Sequence, residues 1–416
     1  MANPLRRALT NFGALAGALA MLAGMATAGA QTPEISAKPY ASIASRGTSY
    51  LGPGREAASD LAGSTIRLGF LAPLHGPRKA EGDAIVAAAR LALEDANPLH
   101  EGRRLELALG DESGPSWGHT SDELIRLALD RQAVAVITSA NGSTAHLSEQ
   151  VGNRMGIPIL TLSTDKTTTQ IDIPWIFRLG PSDEEQARII AEDIYHTRNM
   201  HRVLLVAESD HDGRLGGKEF QEVARQLSAP RVNSLSLDPL QPDADSLIAT
   251  IHKESPEAIV FWTRPEIACQ LIKRIWEERI QTPIFLSQEA AQASQGLRFA
   301  LPDAMNGDVQ QRGSIWTVAS AGAGSPLGKS FARRYELLTG SIPSQVAAEA
   351  YDAVRLVARA LCDAGPNRAR LRDQIASVHN DQGVSGLISF DQEGNNRTRI
   401  RLVRMTAEGS PLATRF

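Results

Sequence analysis

Ile66-Arg-Leu-Gly-Phe-Leu71 is a short apolar run that predicts a β-strand, and the spacing of apolar residues from Asp83 to Ala96 is typical of an amphipathic helix. The same alternation continues along the first half of the chain. Its further segments are Arg104 to Leu109, Thr120 to Asp130, Ala133 to Thr138, Thr144 to Met155 and Ile157 to Leu162. Strands that alternate with helices of this length predict parallel strands joined by helical crossovers, so we expect an α/β fold.

The alternation restarts after Trp175 to Leu179, which predicts a second α/β unit. Its segments are Glu184 to Tyr195, Arg202 to Ala207, Gly217 to Leu227, Val232 to Leu237, Asp245 to Lys253, Ala258 to Trp262, Glu266 to Glu278 and Pro283 to Leu286. The tail does not continue the alternation of strands and helices, since three helical segments precede two strands. They are Leu327 to Leu338, Gln345 to Ala364, Asn367 to Val378, Gly386 to Phe390 and Thr398 to Val403. Because the tail resembles neither unit, we expect it to complete one or both of them.

The first thirty residues predict an export signal. Arg6 and Arg7 precede the apolar run Phe12 to Ala26, and Ala28-Gly-Ala30 supplies the small residues of a cleavage site before Gln31. The apolar run is shorter than the ~20 residues that a membrane-spanning helix needs, which favours cleavage over an anchor. The next segment, residues 31–64, is rich in Ala, Ser, Gly and Pro, so we interpret it as a flexible leader.

Composition limits the classes of partner. The chain has 416 residues, a formal net charge of -4 and no block of Lys or Arg, which argues against a nucleic-acid surface or a polybasic membrane patch. Partners should therefore be small molecules or proteins. The two cysteines, Cys269 and Cys362, each lie in an amphipathic helical pattern, which favours two buried thiols, with one long-range disulfide as the alternative.

Three polar loops follow predicted strands, where parallel sheets present backbone N–H groups and helix N-termini to ligands. They are Ser139-Ala-Asn-Gly-Ser-Thr144, Ser163-Thr-Asp165 and Ser209-Asp-His-Asp-Gly213. Each loop also fits a simpler interpretation, since Ser, Thr, Asp and Asn are the preferred N-cap residues. The presence of such loops in both units favours a cleft that closes over a solute by hinge motion.

The chain resembles the periplasmic substrate-binding proteins of ABC importers, of the leucine/isoleucine/valine-binding type, from Ile66 to about Met405. The motifs that carry the resemblance are Gly69-Phe-Leu-Ala-Pro-Leu-His-Gly-Pro77, Gly82-Asp83, Gly156-Ile-Pro158, Phe177-Arg178 and Gly386-Leu-Ile-Ser-Phe-Asp-Gln-Glu-Gly394. The resemblance implies two Rossmann-like α/β lobes with central parallel sheets, three hinge crossings and a ligand cleft between the lobes.

The resemblance also implies a division of the chain and a set of partners. Residues 65–180 and 306–384 would form the first lobe, and residues 181–305 and 385–416 the second. A protein of this family would act in the periplasm as a monomer without a cofactor, and would deliver its solute to an ABC permease in the inner membrane. The two cysteines would lie in different lobes.

The resemblance also implies which residues bind the ligand, through the positions of this sequence that match the family's binding residues. In amino-acid binders of the family, a first-lobe Ser and an Ala-x-Thr loop hold the α-carboxylate and α-ammonium. Here these positions fall on Gly142, with Ser143 beside it, and on Asp165. Glu289 matches the second-lobe acid. The ligand-binding residues that we expect are Glu81, Asn141, Gly142, Ser143, Ser163, Thr164, Asp165, Asp212, Arg264 and Glu289.

The character of this cleft suggests its solute. Aromatic residues that pack the ligand in relatives are replaced by Glu81, Asp212 and Arg264 at or beside the corresponding places. With Asp165 and Glu289 the cleft would be acidic, and burying carboxylates without a cation is unfavourable. We therefore expect a polar or amine-bearing solute, with Arg264 able to hold a carboxylate. The alternative is that some of these acids point outward as surface or caps.

Other functions stay open as alternatives. A sensor that reports its ligand to a receptor would use the same cleft. We expect no enzyme, because motifs for metal, phosphate or Ser-nucleophile chemistry are absent from the sequence, and Ser143 with His146 three residues on is typical of a helix start. Glu208 to Glu219 has an imperfect calcium-loop spacing, but we interpret it as a loop at the cleft edge.

Overall fold

The computed structural model describes residues 61, 63–97, 102–114, 117–170, 174–293 and 314–405. The predicted signal, residues 1–30, lies outside the described residues, as do most of the predicted leader and residues 406–416. Among the helices of the described part, none is both long and apolar enough to cross a bilayer.

The first sheet has the strand order β2-β1-β3-β4-β5, and every neighbouring pair is parallel. Its strands are β1 Thr65–Ala72, β2 Arg104–Asp111, β3 Val136–Thr138, β4 Ile159–Thr161 and β5 Ile176–Arg178. The connecting helices are α1 Lys79–Ala96, α2 Trp117–Leu129 and α3 Gly142–Met155. Because helices cover both faces, β3, β4 and β5 are buried along their whole length.

Within the described residues, the second sheet has the strand order β13-β10-β9-β8-β6-β7. Its strands are parallel except for β13. Its strands are β6 Val203–Glu208, β7 Asn233–Leu237, β8 Ala258–Trp262, β9 Ile284–Leu286, β10 Ile315–Ser320 and β13 Ile400–Arg404. The helices between them are α4 Asp183–Glu192, α5 His211–Gln226, α6 Ala244–Glu254 and α7 Pro265–Glu277. The α/β prediction with two parallel-sheet lobes is therefore confirmed.

The tail divides between the two sheets. Its helices are α8 Pro326–Thr339, α9 Gln345–Ala364 and α10 Arg368–Ala376, followed by a small hairpin of β11 Asp381–Gln382 and β12 Leu387–Ile388. Residues of α8, α9 and α10 share one hydrophobic core with β1 and α1. The helical tail thus packs in the first lobe, while β13 closes the edge of the second sheet.

One part of the expected division is wrong. A first-lobe segment that starts at residue 306 would include β10, yet β10 pairs in parallel with β9 and antiparallel with β13 in the second sheet. The physical reason is that β10 fills the place beside β9 and provides the edge to which β13 hydrogen-bonds. The return to the first lobe follows β10, just before α8.

The chain passes between the two sheets after β5, after β10 and before β13, and buried hydrogen bonds tie the first and third passages together. Arg178 N donates to Gly394 O over 2.9 Å, and Asn396 N donates to Arg178 O over 2.9 Å. The Arg178 side chain, 3% exposed, donates to Asn395 Oδ1 and Gly180 O. These crossings form a compact hinge.

The two cysteines lie in different lobes and are not joined in a disulfide. Cys269, on α7, is half-buried, but Cys362, near the end of α9, is exposed. The expectation of two buried thiols is therefore wrong for Cys362, because this position of α9 turns away from the face that packs on α1.

Candidate functional site

The polar loops at the ends of β3 and β4 combine helix capping with contacts across the cleft. Asn141 caps α3, since its Oδ1 accepts a hydrogen bond from Thr144 N over 2.9 Å. Ser163 is buried, and its Oγ accepts from Asp165 N over 3.2 Å. Ser143 is half-buried on the first turn of α3. For Asn141 the geometry agrees with the capping interpretation, whereas after β4 the cap of the short helix Lys166–Thr169 is Asp165 and Ser163 makes a local turn bond.

Gly142 and Asp212 join the two lobes directly. The backbone N–H of Gly142 donates to Asp212 Oδ1 and Oδ2 at 3.1 and 3.3 Å. A Cβ atom at position 142 would lie 2.3 Å from Asp212 Oδ1, so this approach requires a glycine. A second-lobe carboxylate therefore occupies the anion position at the N-terminus of α3.

Asp165 lies between two histidines that come from different lobes. Its Oδ2 is 3.0 Å from His146 Nε2, on α3, and 3.0 Å from His211 Nε2, at the start of α5. Its Oδ1 accepts from Thr167 N and Thr167 Oγ1. Burial opposes ionisation of Asp165, but the hydrogen bonds from His146, Thr167 and His211 hold its pKa well below the usual range.

His146 contacts a second carboxylate. Its Nδ1 is 3.1 Å from Glu149 Oε1, while its Nε2 faces Asp165. These two hydrogen bonds, first to Asp165 and then to Glu149, raise the pKa of His146 to about 10. From the sequence, His146 was considered only as a neighbour of Ser143, and its approach to His211 was not predicted. The sequence feature that could have indicated this approach is that each histidine lies on the helix that follows a parallel strand.

Arg78 is the centre of an acidic cluster that sequence reasoning found only in part. Its guanidinium lies 2.8 Å from Glu81 Oε2 and 3.8 Å from Glu112 Oε1. Burial opposes the positive charge, yet the carboxylates of Glu81, Glu112, Glu289 and Asp212 raise the pKa of Arg78 above its usual value. Arg78 and Glu112 were not among the expected site residues, because neither lies in a polar loop of the predicted kind.

Burial raises the pKa values of three acids around Arg78, namely Glu112, Asp212 and Glu289. The pKa of Glu112 rises to about 7, although Arg78 opposes the change, and that of Asp212 rises to about 6. Burial also raises the pKa of Glu289 well above its ordinary value, against the opposing charge of Arg78. The cluster therefore carries more carboxyl groups than its single guanidinium can neutralise.

A cavity of about 400 Å³ opens beside this cluster and is lined by residues of both lobes. Glu81 and Arg78 contribute from the first lobe, and Glu289 and Arg264 from the second. Arg264 donates through Nε to Glu208 Oε2 over 2.9 Å and through Nη2 to Pro239 O. Its expected role as a carboxylate holder is weakened, because those donors already have partners within the second lobe.

Thr164 contacts the opposite side of the interface. Its Oγ1 donates to Asp183 Oδ1 over 2.9 Å, and Trp262 Nε1, at the end of β8, donates to the same oxygen over 3.1 Å. Burial raises the pKa of Asp183 to about 7. Asp183 and Trp262 were also missed, because both lie at element boundaries that look like ordinary helix-start and strand residues.

The acids with calcium-loop spacing have separate partners. Glu208 accepts from Arg264, Asp210 caps α5 by accepting from Gly213 N, and Glu219 pairs with Lys166. Most of this segment is helical, since α5 begins at His211. The described residues therefore do not gather into a calcium cage.

Comparisons with known proteins identify the family of the chain. The profile of the family described as periplasmic binding protein matches residues 65–410. The Leu/Ile/Val-binding protein BraC3 of Rhizobium johnstonii is 23% identical over 208 residues, 49% of this chain and 56% of the relative. The chain thus spans about half the length of this relative and of a Leu/Ile/Val-binding protein homolog of Brucella melitensis.

Solved structures give the same architecture. LivJ of Streptococcus pneumoniae, in complex with isoleucine, superposes with a TM-score of 0.68 at 20% identity, covering 82% of this chain and 99% of that one. A solute-binding protein of an ABC transporter from R. palustris, in complex with benzoate, gives a TM-score of 0.70 at 16% identity, covering 81% and 92%. At these identities the likeness establishes the fold.

Proposed function

The chain belongs to the periplasmic binding protein family, and we propose that it captures a small amine-bearing solute in the cleft between its lobes. The observation that carries this proposal is the convergence of carboxyl groups from both lobes on Arg78. Glu81 and Glu112 come from the first lobe, and Asp212 and Glu289 from the second. No chemical step is part of the proposed function.

Charge selects the solute class. Several carboxyl groups with raised pKa values face one guanidinium, so a solute that brings another positive charge restores the ionised form of these acids. An ammonium group can also donate three hydrogen bonds to them. A neutral or purely apolar solute supplies neither the charge nor the donors.

The amide of Gly142 supports the same choice. In amino-acid binders that the chain resembles, this part of the first lobe holds the α-carboxylate. Here the carboxylate of Asp212 occupies that position, with its Oδ1 3.1 Å from Gly142 N. A solute carboxylate would have to displace Asp212, whereas an amine can bind beside it. The proposed solute is therefore a cation rather than a zwitterionic branched-chain amino acid.

Capture follows from contacts with both lobes. A solute that touches Glu81 and Glu289 together stabilises the closed arrangement of the lobes, and the hinge at Arg178 keeps the crossings aligned. We propose that the closed monomer, exported to the periplasm, is recognised by an ABC permease of the inner membrane. Fractionation with N-terminal sequencing of the mature protein tests the export step, and a mature N-terminus at residue 31 is the expected result.

Isothermal titration of the full chain, refolded to remove any carried-over solute, tests the solute class. Putrescine, spermidine, arginine and leucine are the probes. We expect at least one amine to bind with a stoichiometry of one, and leucine to give no saturable heat. Tight leucine binding without amine binding would overturn the proposal.

A matched pair of variants locates the binding. Glu289→Gln removes one cleft carboxylate and should weaken amine binding by at least about tenfold, since a charged hydrogen bond is worth roughly 1.5–3 kcal/mol. Glu277→Gln changes an exposed acid on α7 and should leave the affinity unaltered. Equal affinities for both variants would place the amine outside this cleft.

A further inference from the structure

We propose that His146, Asp165 and His211 form a binding site for one divalent transition-metal ion, such as Zn²⁺, that links the two lobes. The donor atoms of the three residues all lie within 4.8 Å of one another. This inference goes beyond the proposed function, because the ion would bind whether or not an amine solute does.

The donor set suits such an ion. Two imidazole nitrogens and one carboxylate oxygen are ligands that Zn²⁺ commonly takes, with a fourth position left for water or another ligand. Tetrahedral Zn²⁺ with bonds of about 2.0–2.1 Å needs ligand atoms roughly 3.3 Å apart. The Nε2 atoms of His146 and His211 each lie 3.0 Å from Asp165 Oδ2, and no two of the three donors are more than 4.8 Å apart, so shifts of the side chains within the cluster would bring all three separations to this value.

The neighbouring hydrogen bonds orient the ligands. Glu149 Oε1 lies 3.1 Å from His146 Nδ1, which directs the other ring nitrogen, Nε2, at Asp165. Thr167 holds Asp165 Oδ1 through its N–H and its hydroxyl, so that Oδ2 faces both imidazoles. A carboxylate behind a ligating histidine, and a second partner on a ligating carboxylate, are typical of metal sites.

Charge and access are also favourable. Glu149 is 2% exposed, and its Oε2 has no hydrogen-bond partner in the described part of the chain. Asp165 is buried too, so two carboxylates adjoin the imidazoles. The side chains of His146 and His211 are 29% and 33% exposed, which gives an ion access from solvent.

The site would also bridge the lobes. His146 and Asp165 belong to the first lobe and His211 to the second. An ion bound by all three favours the closed arrangement, because opening would remove one ligand. The competing interpretation is a purely protonated network, in which His146 is an imidazolium held between Glu149 and Asp165.

Titration of chelator-treated full-length protein with ZnCl₂, without any solute, separates the two interpretations. We expect one Zn²⁺ per chain with micromolar or tighter affinity, and no comparable binding of Mg²⁺. Asp165→Asn, which keeps the oxygen that caps Thr167 N, should weaken Zn²⁺ binding by at least about tenfold, as should His211→Ala. Glu149→Gln should weaken Zn²⁺ binding by roughly 10-fold, because Glu149 orients the ligand His146 without binding the ion itself.

His252→Ala, at an exposed histidine of α6 in the second lobe, is the matched control and should bind Zn²⁺ as the unaltered chain does. Circular dichroism establishes that each variant is folded. Anomalous diffraction at the zinc edge should give a peak bonded to His146, Asp165 and His211. The absence of saturable binding, binding that survives both Asp165→Asn and His211→Ala, or a peak elsewhere would overturn the proposal.

Discussion

At the scale of single residues, the contact between Gly142 and Asp212 links the two lobes directly across the cleft. It pairs a backbone N–H at a helix start with a carboxylate of the other lobe. The contact depends on the absence of a side chain at position 142, because a Cβ there would overlap Asp212. This makes Gly142 a sensitive test of lobe closure.

Gly142→Ala should therefore weaken amine binding by at least about tenfold while leaving the stability of the first lobe nearly unchanged. The added methyl group meets Asp212 only when the lobes are together. Gly152→Ala, on the same helix, would place a Cβ 2.6 Å from Ile159 Cγ1 inside the first lobe, and should lower stability instead. Titration calorimetry and thermal unfolding measure the two effects; the same outcome for both variants would contradict this account.

Glu349 gives a pH-dependent contribution to stability. Burial raises its pKa to about 8 from the ordinary 4.5, against hydrogen bonds from Gln345 and Gln288. Between these pH values the unfolded chain has lost the proton that the folded chain retains. Unfolding therefore releases a proton, and this group lowers stability as pH rises from about 4.5 to about 8.

Glu349→Gln should raise the free energy of unfolding at pH 8 by an amount on the order of 2 kcal/mol, and by much less at pH 4.5. The amide keeps a carbonyl oxygen for Gln288 and Gln345. Urea unfolding at the two pH values measures the difference, with exposed Glu336→Gln as the control. A gain that is equal at both pH values would contradict the assignment.

Part of the candidate site could be proposed from the sequence at this scale. Gly142, Asp165, Asp212 and Glu289 were accessible from loop position and family resemblance, because each follows a recognisable strand. The central place of Arg78 could not be predicted from the sequence, because the acids around it come from four different segments of the chain. The pairing of His146 with His211 could not be predicted either, because it depends on how closely the two lobes approach.

At the scale of elements, α4 begins with a capping box at the first hinge crossing. Ser182 Oγ accepts from Glu185 N over 3.1 Å, and Glu185 Oε2 accepts from Ser182 N over 2.8 Å. Such reciprocal bonds satisfy N–H groups that a helix start leaves without intrahelical partners. The cap therefore fixes where the second lobe starts.

Ser182→Ala should lower the free energy of unfolding by about 1 kcal/mol, the usual effect of losing an N-cap side chain. Chemical denaturation measures this change. Ser330→Ala, at an exposed position within α8, lacks a capping role and serves as the control. A loss no larger than that of the control would show that the capping box contributes nothing.

The helical elements were predicted better than the lobe to which each part of the tail belongs. The helix Gln345–Ala364 matches the predicted bounds, because its apolar spacing is sustained over many turns. The strand β10 was not predicted, and its residues were assigned to the first lobe together with the rest of residues 306–384. Its place in the second sheet is decided by pairing with β9 and β13, which no local pattern encodes.

At the scale of the whole molecule, two parallel-sheet lobes meet along an interface that is rich in acids and is crossed three times by the chain. Lys166 of the first lobe pairs with Glu219 of the second over 2.8 Å, and Gly142 pairs with Asp212. The contacts near the hinge hold the crossings, while the acids around Arg78 are the groups that we propose to bind a cationic solute. Fold and charge together lead to the proposed capture of an amine.

A crystal structure of the full chain with putrescine bound tests this central claim most directly. The account predicts one diamine between the lobes, with its nitrogens within hydrogen-bond distance, about 3 Å, of carboxylates from both lobes, Glu289 among them. A diamine bound to one lobe alone, or bound on the outer surface while the acids around Arg78 stay unchanged, would contradict it.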